Sequence, residues 1–96
     1  MRVFNLSTLK RFWSKHPDSK TPLAAWYKLV EKADWKNHQS VTKQFSKARF
    51  VKDKIIFNIC NNEYRLIVKV DYAFKAVFIK FLGTHKQYDK INVNEL

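Results

Sequence analysis

Three β-rich runs in the second half of the chain, Ile55 to Cys60, Tyr64 to Val70 and Val77 to Leu82, are separated by only a few residues each. A parallel pair of strands needs a crossover of a dozen or more residues, so these runs must lie side by side as antiparallel neighbours. Asn61-Asn62 is a turn-forming pair, and the stretch Asp71 to Ala76 contains the next turn. Strand alternation sends Tyr64, Leu66, Val68 and Val70 to one face of the middle run, and Arg65, Ile67, Lys69 and Asp71 to the other. The first face is wholly apolar or aromatic and has to be covered. The second leaves Arg65 and Lys69 on an open side, where Asn58 and Lys80 have the parity to join them in a basic groove. A register slip of one residue would move Asn58 or Lys80 to the buried side.

The first half supplies the cover. Met1 to Asn5 is short enough for a strand, and Ser7 is placed to cap a helix in which Leu6, Leu9, Phe12 and Trp13 recur at helical spacing through Lys15. Pro17 disfavours helical geometry at His16 and ends that helix. Thr21 then caps a second helix with Pro22 at its first position. Its apolar face, Leu23, Trp26, Tyr27, Leu29, Val30 and Ala33, continues toward Trp35. This Trp and Tyr stripe reads as core, with a base-stacking surface as the alternative. From Lys36 to Asp53 the pattern breaks into a polar stretch, a turn of helix around Val41 to Phe45 and an irregular basic segment. After the last strand Gly83 bends the chain, Thr84 caps, and His85 to Ile91 forms a short helix with His85 and Tyr88 on one face. The expectation is one α+β domain over residues 1–96, with an N-terminal strand and two helices packed on an antiparallel sheet and a short C-terminal helix.

At 96 residues there is room for one modest core, and 46% hydrophobic content is enough to build it. The 19 Lys and Arg against 8 Asp and Glu give a net charge of +11, a field that attracts polyanions. Nucleic acid is the leading partner class. Cys60 is the only cysteine, which excludes an intramolecular disulfide and a Cys-rich zinc site and fits a reducing cytosol. The eight acids show no cluster at ligand spacing, so no metal and no cofactor are expected. The N-terminal residues lack a continuous signal-peptide core, and no segment is long enough to span a bilayer, so a cytoplasmic location without a membrane partner is expected. The alternative is a basic amphipathic membrane helix, with Lys10, Arg11 and Lys15 beside Leu6, Leu9 and Phe12.

Six Lys or Arg stand between Lys36 and Lys54 against Asp53 alone, a density suited to a phosphate backbone or to a solvated loop. Lys47, Arg49, Lys52 and Lys54, with Asn58, Lys69 and Lys80 from the strands, are the candidate RNA-binding residues. Arg65, His85 and Tyr88 are the candidate catalytic group; the alternative, which the residues alone favour, has His85 satisfying the strand-to-helix turn and Tyr88 packing Ile91 onto the core. Imidazole chemistry suits a general acid or base, a guanidinium fork holds phosphate oxygens, and a Tyr stacks on a base or donates its hydroxyl.

The stretches Phe57-Asn58-Ile59, Asn62-Glu63-Tyr64-Arg65-Leu66-Ile67 and Phe81-Leu82-Gly83-Thr84-His85-Lys86-Gln87-Tyr88-Asp89 are similar, in order and spacing, to the pattern of HigB-type toxins, RelE-like mRNA interferases of bacterial type II toxin–antitoxin systems. The likeness is strongest over about residues 54 to 91 and rests on helix layout and basic character before that. It implies a RelE-like fold and a metal-independent endoribonuclease in which an RNA 2′-hydroxyl attacks the adjacent phosphate, with Arg65, His85 and Tyr88 in the site. It further implies messenger RNA in the ribosomal decoding site as substrate, and as partner an acidic antitoxin, usually with a helix-turn-helix. RelE itself uses lysines, arginines and a tyrosine rather than a histidine, so only those three residues carry over. Two other readings share the charge and the scaffold: a non-catalytic RNA- or ribosome-binding module, and a ParE-like gyrase poison.

Overall fold

The computed structural model describes residues 1–96. Its elements run β1 (Arg2–Phe4), α1 (Leu6–Lys15), a 3₁₀ turn (Pro17–Ser19), α2 (Lys20–Lys32), α3 (His38–Gln44), β2 (Arg49–Val51), β3 (Lys54–Ile59), β4 (Tyr64–Asp71), β5 (Ala76–Thr84), α4 (His85–Asp89) and a 3₁₀ turn (Val93–Glu95). The expected α+β architecture is present, and the three long strands form the antiparallel meander. The sheet is larger than expected, however. It has five strands in the order β1-β5-β4-β3-β2, and β1 pairs parallel with β5, so the sheet is mixed.

One addition, β2, lies in the segment read as irregular. Asn37 caps α3 by accepting from the Ser40 N–H at 3.0 Å, and Val41 in this helix is fully buried. Arg49–Val51 then pairs antiparallel with β3 through a two-residue turn, Lys52-Asp53, in which Lys52 has φ 53°. That pair lacks the Gly or Asn that usually marks such a hairpin, so the strand had no sequence signal.

Helix boundaries shift for local reasons. Asn5, not Ser7, precedes α1, in the left-handed region at φ 71°, and it makes no side-chain cap bond. The second helix starts at Lys20, leaving Pro22 as its third residue, where no backbone N–H would have had an intrahelical partner anyway. Helix α4 stops at Asp89 rather than Ile91. Its start is reinforced beyond the expected Thr84 cap: Thr84 Oγ1 accepts from the Gln87 N–H and Gln87 Oε1 accepts from the Thr84 N–H, a reciprocal capping box.

The core lies between the helices and one sheet face. Leu9, Leu23, Trp26, Val30, Trp35 and Val41 pack there against Leu66, Val68, Val77 and Ile79, so the Trp26 position is core, not a stacking surface. The other face is not simply open. Ile56 and Ile67 share the parity of Arg65 yet are 1% and 0% exposed. Helix α4 folds back against β4 and β5, with Tyr88 over Arg65 on this face. A bulge between Ile67 and Val68 lets Val68 pair with Ile79 and Ile67 with Phe81, which leaves Lys80 as the unpaired extra residue. Alternation along β5 therefore reverses at Lys80, and Leu82 rejoins the helix-side core.

A partly buried tie joins the helix layer to the sheet. Tyr64 donates its hydroxyl to Asp18 Oδ1 at 2.7 Å, and that carboxylate, with burial, pushes the Tyr64 pKa up to about 12. A phenol whose folded pKa lies above its unfolded value near 10 binds its proton more tightly when folded. The stabilisation it contributes is complete below pH 10 and is lost as pH rises to about 12. Thermal melts should therefore show the wild type losing more stability than Asp18→Asn between pH 10 and 12. Parallel losses in the two proteins would mean the bond does not contribute.

Candidate active site

The β3–β4 hairpin shapes one side of the site. Cys60, Asn61 and Asn62 all have positive φ, at 56°, 53° and 72°, and the Glu63 N–H donates to the Cys60 carbonyl at 3.1 Å. Asn tolerates this backbone better than most residues, which is why the pair marks the turn. In the next strand Arg65 pairs with Asn58 on β3 and with Gly83 on β5, so it stands in the middle of the sheet end.

Arg65 is an unusual cation. It is only 9% exposed, and none of the chain's ion pairs includes it. Its Nη1 donates to the Asn62 carbonyl at 2.7 Å and to the Tyr64 carbonyl at 3.3 Å, and its Nε is buried without a partner. A buried guanidinium without an anion is costly, so an anionic group docking there would stabilise it.

Helix α4 brings the remaining groups. The Tyr88 ring lies 5.8 Å from the Arg65 guanidinium and 6.0 Å from that of Arg49, and Arg49 Nη2 donates to Tyr88 Oη at 3.0 Å. The Tyr88 oxygen thus accepts from a cation while its own proton stays free to be donated. His85 turns Nδ1 toward Asp89 Oδ1 at 3.4 Å, one helical turn on, which leaves Nε2 available. Arg49, Asn58, Asn62, Arg65, His85 and Tyr88 together line an open cleft of about 580 Å³.

All three candidate catalytic residues, Arg65, His85 and Tyr88, meet in this cleft, and Arg49 and Asn58 join them. Lys47 lies next door, in a depression of about 450 Å³ that shares Asn58 and Asn62 with the cleft. Lys52 stands exposed at the β2–β3 turn and Lys80 at the bulge. Lys54 and Lys69 are not brought to the cleft. They pair with each other across β3 and β4 four residues from the Asn58–Arg65 pair, about 13 Å along the strands. Lys54 is 4% exposed and bonds Asp53 at 2.9 Å, with Lys69 on the other oxygen at 3.4 Å. The hydrogen bond from Lys54 and the two ammonium charges hold the Asp53 carboxyl below its usual range. Sequence reasoning missed Asn62 as a cleft residue and Asp89 as the partner of His85. The four-residue spacing of His85 and Asp89 on a helix was the available signal for the second. No group of three or more His, Cys, Asp and Glu is placed to hold a metal ion, and no helix is long and apolar enough to cross a membrane.

Gly83 serves this site by making room rather than by bending. It sits within β5 and has no positive φ. A Cβ there would lie 2.6 Å from Phe81 Cζ and 2.7 Å from Gln87 Oε1, the capping atom of α4. Gly83→Ala should displace Gln87 and loosen the helix that carries His85 and Tyr88, lowering stability by about 1–2 kcal/mol. Any catalytic activity should fall further than the melting temperature implies. A variant with full activity would show that the cap does not position α4.

The five-stranded α+β domain has RelE-like architecture, with a cationic cleft at one sheet end that brings Arg49, Arg65, His85 and Tyr88 together. The chain belongs to the HigB toxin family, the RelE-like toxic component of a toxin–antitoxin system, whose sequence pattern it matches over residues 19–91. The match thus reaches well into the helical half. The chain is 27% identical over 92 residues to the mRNA interferase toxin HigB of Escherichia coli strain K12, covering 93% of this chain and 88% of that protein. The mRNA interferases HigB of Escherichia coli O157:H7 and Shigella flexneri match it with the same identity and coverage. As the toxic component of such a system, the protein has an antitoxin as its partner.

Proposed function

We propose that this protein is an mRNA interferase that cuts messenger RNA during translation by 2′-hydroxyl attack. The observation that carries the reading is Arg65, a buried cation with no anion of its own, facing His85 and Tyr88 across one cleft. His85 Nε2 takes the proton of the ribose 2′-hydroxyl, whose oxygen attacks the adjacent phosphorus. Arg65, helped by Arg49, holds the phosphate oxygens as negative charge grows on them. The bond from phosphorus to the 5′-oxygen breaks, and that oxygen takes the Tyr88 hydroxyl proton. The products are a 2′,3′-cyclic phosphate and a 5′-hydroxyl end, and His85 then returns its proton through water. Asp89 holds His85 in the required orientation.

The substrate in this reading is mRNA on the ribosome, reached in the cytoplasm through the +11 charge. The antitoxin is acidic, carries a helix-turn-helix and neutralises the toxin. A short induction in bacterial cells, followed by mapping of new mRNA 5′ ends and their end chemistry, tests the reading. Fresh 5′-hydroxyl ends inside translated frames are expected. Arrested growth with intact mRNA would overturn it in favour of gyrase poisoning or passive ribosome binding.

A further inference from the structure

A second cavity lies on the other side of α4. It has a volume of about 440 Å³, and its walls include Arg11, Phe12, Lys15 and His16 from the first helix and its end, with Leu82 and Gln87 opposite. Three of these side chains are basic and none is acidic. Arg11 and Lys15 are one helical turn apart, both exposed, and neither takes part in an ion pair. Arg11 makes one side-chain hydrogen bond, to Ser7 Oγ at 3.3 Å. The His16 ring stacks on Phe12 at 4.4 Å and lines the cavity. Gln87 uses Oε1 in the capping box, so its amide N–H groups remain to donate.

The position of this cavity relative to the cleft is informative. At about 100° per residue, Gln87 lies roughly 200° around α4 from His85, so the short helix separates the two hollows like a ridge. The two hollows share α4, whose Gln87 lines one while its His85 and Tyr88 line the other. The basic face of α1 is also unsuited to a bilayer. Leu9 is 1% exposed, and Leu6, Phe12 and Trp13 pack on the core, so the apolar side such a helix would insert is already occupied.

We propose that this cavity is a second RNA-binding site, in which Arg11 and Lys15 hold phosphates of the strand whose scissile bond lies in the cleft, while His16 and Gln87 contact its sugar or base. The proposal deepens the interferase reading and rests on it for the identity of the strand. Its test is a binding measurement in His85→Ala protein, so that RNA is not cut. Fluorescence anisotropy with single-stranded RNAs of four and twelve nucleotides compares this protein with a version also carrying Arg11→Gln and Lys15→Gln, and with a control carrying Lys28→Gln and Lys32→Gln, an exposed pair one turn apart on α2.

The longer RNA should bind about tenfold more tightly than the shorter, and the Arg11/Lys15 change should erase most of that gain. The slope of log affinity against log salt should fall by about 1.4, or 0.7 for each lost phosphate contact. The control pair carries the same loss of net charge and should keep the length-dependent gain. Equal effects of the two pairs would reduce the observation to the general field and overturn the site. Loss of binding to anionic phospholipid vesicles with RNA binding unchanged would overturn it in favour of a membrane surface. If the length-dependent result holds while the wild type leaves cellular mRNA intact, the second site stands and the interferase reading fails.

Discussion

Arg65→Ala should reduce mRNA cleavage by about 10²- to 10³-fold, the scale seen when one fixed donor to a developing oxyanion is removed. Arg65 is preorganised in a way a surface arginine is not. Its Nη1 is tied to the Asn62 and Tyr64 carbonyls, it is 9% exposed, and it lines the cleft. The fold should survive the change, because two stability effects oppose each other. Two charge-assisted hydrogen bonds to the hairpin are lost, each worth up to about 3 kcal/mol, but an unpaired buried charge is removed as well. Arg65→Lys should recover less than a tenth of the lost rate, since one ammonium cannot hold the hairpin carbonyl and a phosphate in the same fork. The measurement is the rate at which new 5′ ends appear after induction, with a melting curve beside it. Full rescue by Lys would mean that only the charge matters. A rate unchanged in Arg65→Ala would remove the residue from the site.

The contrast between Arg65 and Lys54 illustrates what a sequence conveys about such a site. Both have the parity of the basic face, and both lie on long strands whose existence and pairing were plain from the alternation of residues. One faces a cleft without a carboxylate. The other is held by Asp53, its neighbour in a tight turn. That difference depends on the Lys52-Asp53 hairpin and the third strand pairing it creates, which left no mark in residue type. The same hairpin explains Arg49. In an irregular loop it is one cation among several, but paired opposite Ile56 it reaches Tyr88. The core was legible because burial imposes a period on apolar residues, as at Leu23, Trp26 and Val30. The bulge that exposes Lys80 and the return of α4 over the sheet come from packing, which imposes no comparable period, whereas the capping box was written in Thr84-His85-Lys86-Gln87.

His85→Ala should lower cleavage by about 10²- to 10⁴-fold while RNA binding changes little, because the side chain is 57% exposed and contributes its proton chemistry rather than a phosphate contact. Asp89→Asn gives the graded companion. The His85–Asp89 contact is a 3.4 Å pair between two exposed groups, and such pairs are worth up to about 1 kcal/mol, so about a fivefold loss is expected. Tyr88→Phe should fall between them, since it removes a proton donor but keeps the ring against Arg65. The order matters more than any single value. Loss of RNA affinity in His85→Ala equal to the loss of rate would make His85 a binding residue. Unchanged growth arrest and unchanged mRNA ends in all three would leave a basic protein that holds RNA without cutting it. If His85→Ala and Tyr88→Phe are each impaired and the double variant is no worse than the more impaired single, the two proton transfers belong to one concerted step, with His85 as base and Tyr88 as acid.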